Sequence, residues 1–165
     1  MRANSMSLLS IAPLLASEFE PFGDVLQVQP SPTVMINQGN CARYTDLAKL
    51  DFSDGRAGIS IFHAHPYRSP LTLSMMERHP AGSQAFIPMS TDPFLVIVAP
   101  DVDGRPGQPR VFLTDGLQGV NYHRNVWHGV LTPIEGNGLF TVIDRIGQGS
   151  NLEEHWLETG YQIVF

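Results

Sequence analysis

Leu71-Thr-Leu-Ser-Met-Met-Glu-Arg-His79 decides how this chain is read. Side chains alternate between the two faces of a strand. Leu71, Leu73, Met75, Glu77 and His79 therefore share one face, and Thr72, Ser74, Met76 and Arg78 take the other. The first face begins apolar and ends in an acid and an imidazole. Pointed into a barrel, it carries Glu77 and His79 to the mouth, where burial without a partner costs several kcal/mol. A metal ion or a bound substrate is a natural partner. The alternative is an edge strand with a solvated Glu–His pair.

Working outward, the same kind of segment recurs. Gly (15) and Pro (13) punctuate the sequence, and the stretches between them are short and β-prone. That pattern predicts an all-β sandwich or barrel, with strands at 58–63, 71–79, 85–88, 94–99, 110–113, 126–131, 139–145 and 161–165. Phe94-Leu-Val-Ile-Val-Ala99 is continuously apolar, as in a strand buried on both faces. Residues 101–108 read as a surface loop. Helix is scarce, with a turn or two expected at 16–19 and 152–157. No repeat, linker or low-complexity tract interrupts the 165 residues, so the expectation is one domain over 1–165.

Composition narrows the function classes. The formal net charge is −6, and no Lys/Arg cluster is present, which disfavours a phosphate-backbone partner. An anionic metabolite would need individually placed Arg residues. Cys41 is the only cysteine, so no intrachain disulfide forms and a reducing compartment fits. The apolar stretch at 8–15 is broken by Pro13 and is too short to span a bilayer. The expectation is a cytoplasmic protein without a membrane partner.

A second cluster joins the first. Gly119-Val-Asn-Tyr-His-Arg-Asn-Val-Trp-His-Gly129 places His123 and His128 around the turn formers Arg124 and Asn125. Histidine is a common metal ligand and the side chain most easily tuned to act near neutral pH. Trp127 beside His128 reads as an apolar wall, and either histidine alone could be a core residue bonded to backbone. Together the two clusters resemble a degenerate cupin signature. Glu77-x-His79-x4-Gln84 has the spacing of the first motif, His-x-His followed by Glu, and Trp127-His128-Gly129 resembles the end of the second. Glu77 stands for the first His and Gln84, a weaker and neutral ligand, for the Glu.

The likeness then becomes more specific. Glu77-Arg-His-Pro-Ala-Gly-Ser-Gln-Ala-Phe-Ile-Pro88 and Gln118-Gly-Val-Asn-Tyr-His-Arg-Asn-Val-Trp-His128 resemble the two signature segments of the ureidoglycolate lyases of allantoin breakdown. Phe19-x-Pro-Phe-Gly-Asp24, 94–99 and Ile143-Asp-Arg145 match in order, so the resemblance covers nearly the whole chain. It implies a cupin-type jelly-roll β-barrel, a homodimer, and a divalent metal, nickel in some members. It also implies cleavage of ureidoglycolate to glyoxylate and urea.

On that resemblance the metal set is Glu77, His79, Gln84 and His128. His79 and His128 contact the metal or the substrate hydroxyl, and Glu77 or His123 moves the proton. Arg145, or alternatively Arg124, clamps the substrate carboxylate, with Tyr122, Trp127 and Gln84 as further substrate contacts. No Ser or Cys nucleophile motif is present, and carbinolamine cleavage requires none. Two other readings stay open: another metal-dependent cupin enzyme, or a non-catalytic cupin that binds a small carboxylate. His63-Ala-His65 has metal-pair spacing but reads as surface or dimer-face histidines. The run Tyr161-Gln-Ile-Val-Phe165 is the expected strand to pair or pack in the dimer.

Overall fold

A computed structural model describes residues 6–165 of the chain. Met1–Ser5, the start of the N-terminal segment considered above, lie outside the described residues. The fold is all-β, as the punctuated sequence predicts. The larger sheet runs, in spatial order, β1 (Ser7–Leu9), β17 (Glu153–Ile163), β7 (Leu71–Arg78), β14 (Trp127–His128), β9 (Phe94–Ala99), β12 (Arg110–Leu113) and β2 (Ile11–Pro13). An eighth strand, β15 (Thr132–Pro133), also pairs with β9. The second sheet runs β3 (Gly23–Leu26), β13 (Gly119–Tyr122), β8 (Gln84–Pro88), β16 (Leu139–Ile146) and β6 (Arg56–His63). Two small hairpins, β4 (Val34–Ile36) with β5 (Cys41–Arg43) and β10 (Asp101–Val102) with β11 (Arg105–Pro106), stand apart. Helix is confined to α1 (Ala16–Phe19) and a 3₁₀ turn at Asn37–Gly39.

β1 and β2 sit at opposite ends of the larger sheet, yet only Ser10 separates them. The sheet therefore rolls until its two edge strands adjoin in the chain, which limits the open edge it presents. Leu9, Leu73, Met76, Leu95, Ile97, Val111, Trp127 and Ile163, all from this sheet, pack as one core cluster. Phe94, Val96, Val98 and Phe112 pack instead with Phe19, Phe86, Val120, Tyr122, Phe140 and Val142, between the larger sheet and the second one. β9 is the wall shared by both cores. Its alternate residues feed each in turn, which is why its sequence is apolar without a break.

Several expectations change. Residues 153–157 form the start of the strand β17 rather than a helical turn. Glu153–Trp156 pair residue by residue with Arg78–Met75, and this cross-strand pairing overrides the helix-forming Leu and Glu side chains. Of the expected strand at 126–131 only Trp127–His128 is extended as β14, and β15 follows outside it at Thr132–Pro133. The loop at 101–108 carries the exposed hairpin β10–β11. Most consequential is 161–165: Tyr161–Ile163 pairs with β1 on one side and β7 on the other, so it offers no edge for strand pairing with a second copy. The long unpaired edge is instead that of β6, which bonds only to β16. No helix among the described residues is long and apolar enough to cross a membrane.

Candidate functional site

Strand register brings the polar residues together. His128 on β14 lies directly opposite Glu77 on β7 and opposite Val98 on β9. Directly opposite residues share a face, so Glu77 and His128 look toward the core between the sheets, where Val98 packs. His79 follows the end of β7. Each of the three offers a ligand atom, and these atoms lie within 4.8 Å of one another.

The hydrogen bonds fix the protonation pattern. His79 Nδ1 lies 2.7 Å from the Asn151 carbonyl oxygen, and His128 Nδ1 lies 2.9 Å from that of Gly129. A carbonyl oxygen only accepts, so each Nδ1 carries a proton, and in the neutral form of either ring Nε2 is the nitrogen that presents a lone pair. Both Nε2 atoms are buried with no protein partner. Burial, and then the neighbouring His79, push the His128 imidazole down to about 3, so it stays neutral at ordinary pH. Glu77 Oε1 at 4.0 Å from His128 is therefore a polar neighbour, not an ion pair. Burial raises the Glu77 carboxyl, His79 opposes that shift, and Glu154 adds to it.

Gln84, the first residue of β8, supplies a further unsatisfied group. Its Nε2 donates to Asp144 Oδ2 at 3.2 Å, and its Oε1 is buried and unpaired. Glu77, His79 and Gln84 line one cleft of about 500 Å³ together with Phe62, Phe86 and Leu131. Two bare imidazole nitrogens, a carboxylate and an amide oxygen are the donors a divalent cation takes, at bond lengths of about 2.0–2.2 Å for nitrogen and oxygen on a zinc-like ion. The residues fit such an ion.

The other expected site residues are distributed differently. Tyr122 supplies the apolar wall: its ring stacks on His128 at 4.3 Å with planes 4° apart. Burial and the Glu77 charge push its hydroxyl above the ordinary phenol range. Trp127 faces the opposite way, as the neighbour of His128 on a strand must. Its indole donates to Asp101 at 2.8 Å under the Arg78 guanidinium. His123 pairs with Asp24 at 3.3 Å and Arg124 with Asp51 at 3.2 Å, and both line a separate cleft with Lys49. The Arg145 side chain, 4% exposed, is held by Asp54 and by the Gln148 carbonyl. The structure thus brings neither arginine to the cleft of Glu77. His63 does line that cleft, so the surface reading is incomplete for it, whereas His65 does not. Asn151 carries no sequence signal beyond being a lone Asn in a loop.

A profile described as ureidoglycolate lyase matches residues 6–164, almost every residue of this architecture. The chain belongs to the ureidoglycolate lyase family. Relatives agree over their whole length. A protein named ureidoglycolate lyase 2 from Rhizobium meliloti is 52% identical over 95% of this chain and 98% of its own. A ureidoglycolate lyase from Rhodobacter capsulatus is 54% identical over 91% and 94%. One from Pseudomonas syringae is 46% identical over 96% and 95%. The fold and the family expected from the two signature segments both stand.

Proposed function

We propose that this chain cleaves ureidoglycolate to glyoxylate and urea, with the Glu77–His79–His128 group as its reaction centre. The observation that carries this is the convergence of ligand atoms of Glu77, His79 and His128 within 4.8 Å of one another, beside the cleft that Glu77 and His79 line. A divalent ion held by Glu77, His79 and His128, with Gln84 Oε1 as a further ligand, would supply Lewis-acid contact to substrate oxygens.

The carbinolamine carbon bears a hydroxyl, a carboxylate and a ureido nitrogen. Removing the hydroxyl proton forms the aldehyde C=O, the C–N bond breaks, and the departing nitrogen takes a proton to become urea. Glu77 is the one acidic residue lining the cleft among the described residues. Its place in the cleft suits it to accept the hydroxyl proton and return it to nitrogen. No Arg or Lys lines the cleft among the described residues. Among the residues lining the cleft, His63 is therefore assigned to the substrate carboxylate, and an ion, when bound, would offer it a further contact.

Product analysis tests the reading. Urea is expected to form in step with glyoxylate. Ammonia formed in step with glyoxylate, without urea, would overturn the lyase assignment. An inactive protein that still binds the substrate would favour a non-catalytic binder.

The expected two-fold dimer belongs to the same proposal, with its surface moved. On β6, Ile59 and Ile61 are 76% and 57% exposed, beside exposed Ile87 and Met89. Apolar side chains on an open edge strand favour pairing with a second copy. Light scattering at micromolar concentration should give twice the chain mass, and a monomer mass would remove the dimer.

A further inference from the structure

The cleft depends on His79 presenting Nε2, and the strand that carries His79 does not enforce that. β7 ends at Arg78, one residue earlier. An imidazole at a strand end can turn about its side-chain bonds, so something else must hold the ring. We infer that Asn151 is the positioning residue for His79, acting through two bonds from one residue.

Its carbonyl accepts the His79 Nδ1 proton at 2.7 Å, and its side-chain Oδ1 accepts the Ala81 N–H at 2.6 Å. The first bond sets which nitrogen is bare and where it points. The second fastens the carbonyl to the turn that carries His79, so ring and acceptor move as one unit. An acceptor on the far nitrogen is how ligating or proton-moving histidines are commonly oriented. The loop is braced from behind as well. Arg145, which pairs with Asp54, also donates to the Gln148 carbonyl at 2.7 Å. A side chain on Gly147 would run into that guanidinium. Arg145 thus acts as a strut for the segment that holds Asn151, and the next residue, Leu152, lines the cleft. Asn125 completes the frame by donating its N–H to the His79 carbonyl at 2.9 Å.

The activity arm of the test rests on the proposed function, whereas the spectroscopic arm does not. In nitrogen-15-labelled protein as purified, the His79 Nδ1 proton should appear downfield and exchange slowly with water. In Asn151→Ala that signal should shift upfield and exchange rapidly. Turnover should fall about 10- to 100-fold, with KM changed less than threefold and the cooperative melt retained. Asn151→Asp keeps an Oδ acceptor for Ala81 and should restore both the signal and most of the turnover. Persistence of the slowly exchanging proton in Asn151→Ala would overturn the inference, whatever the activity. So would equal losses in the Ala and Asp variants when both melt cooperatively. If Asn151→Ala does not fold, the Asp variant decides alone, and loss of the proton signal there counts against the clamp.

Discussion

Glu77→Gln is expected to lower turnover of ureidoglycolate by about 10²-fold or more while leaving the protein no less stable. The substitution keeps the shape and removes the one ionisable acid that lines the cleft among the described residues, so proton transfer to and from substrate is lost. The stability half follows from the raised carboxyl of Glu77, caused first by burial. A carboxyl whose pKa rises on folding favours its protonated form, so its ionisation opposes folding fully above the folded pKa, and the penalty fades as pH falls from there to the unfolded value. Gln is neutral throughout. In chelated protein the melting temperature of the variant should therefore match or exceed that of the natural chain at pH 8, and the difference should shrink as pH falls. A Gln variant with natural turnover would remove Glu77 from the reaction.

His128→Ala should be more damaging still, because it removes packing and chemistry together. His128 is 1% exposed and lies flat against Tyr122. Truncation leaves a cavity beside that ring and an unpaired Gly129 carbonyl, at a cost of about 2–4 kcal/mol. His128→Phe separates the two losses. It refills most of the volume and keeps a stacked pair, so stability should largely return. Neither variant offers a nitrogen to an ion or to substrate. Both should lose turnover by about 10²-fold or more, and both should lose any divalent metal that elemental analysis finds in the natural protein. Activity recovered by His128→Phe would make His128 a packing residue and nothing more.

The parts of the fold legible in the sequence are those where one force dominates. Phe94–Ala99 is apolar without interruption because two cores claim its alternate residues, and its limits are recovered as predicted. β13 was not legible as a strand. Asn121 and Gly119 break its apolar pattern, although all four residues are buried, because Asn121 bonds to Asp24 and to the Lys49 carbonyl. The start of β17 misleads for the opposite reason. Its outer residues meet solvent, and only pairing with β7 makes it extended.

The site divides along similar lines. Glu77 and His79 follow from the alternation along their strand, Gln84 from the resemblance to the cupin motif, and His128 from its turn. Trp127 and His128 being adjacent already implied opposite faces, so the wall role of Tyr122 was within reach of the period of two. The separation of His123 from His79 was not. It depends on how the Arg124–Asn125 turn, with Asn125 in the left-handed region at φ 68°, redirects the chain. Asn151 acts largely through its backbone carbonyl, and no residue-type pattern announces a carbonyl.

The closure of the rolled sheet also bears on how the molecule is made. Ser7–Leu9 run parallel to Tyr161–Ile163, so the seam joins segments separated by almost the entire sequence. The segment carrying Asn151 lies just upstream of that late strand. Loop-closure entropy must be spent before such a pairing gives anything back, and topologies dominated by distant contacts fold in milliseconds to seconds. During that interval the larger sheet has two open margins, and the cleft lacks the loop that orients His79. Catalytic competence should therefore appear in refolding experiments only with the slowest structural phase, and a chaperone that shields strand margins should raise the yield of active protein more than its rate of formation.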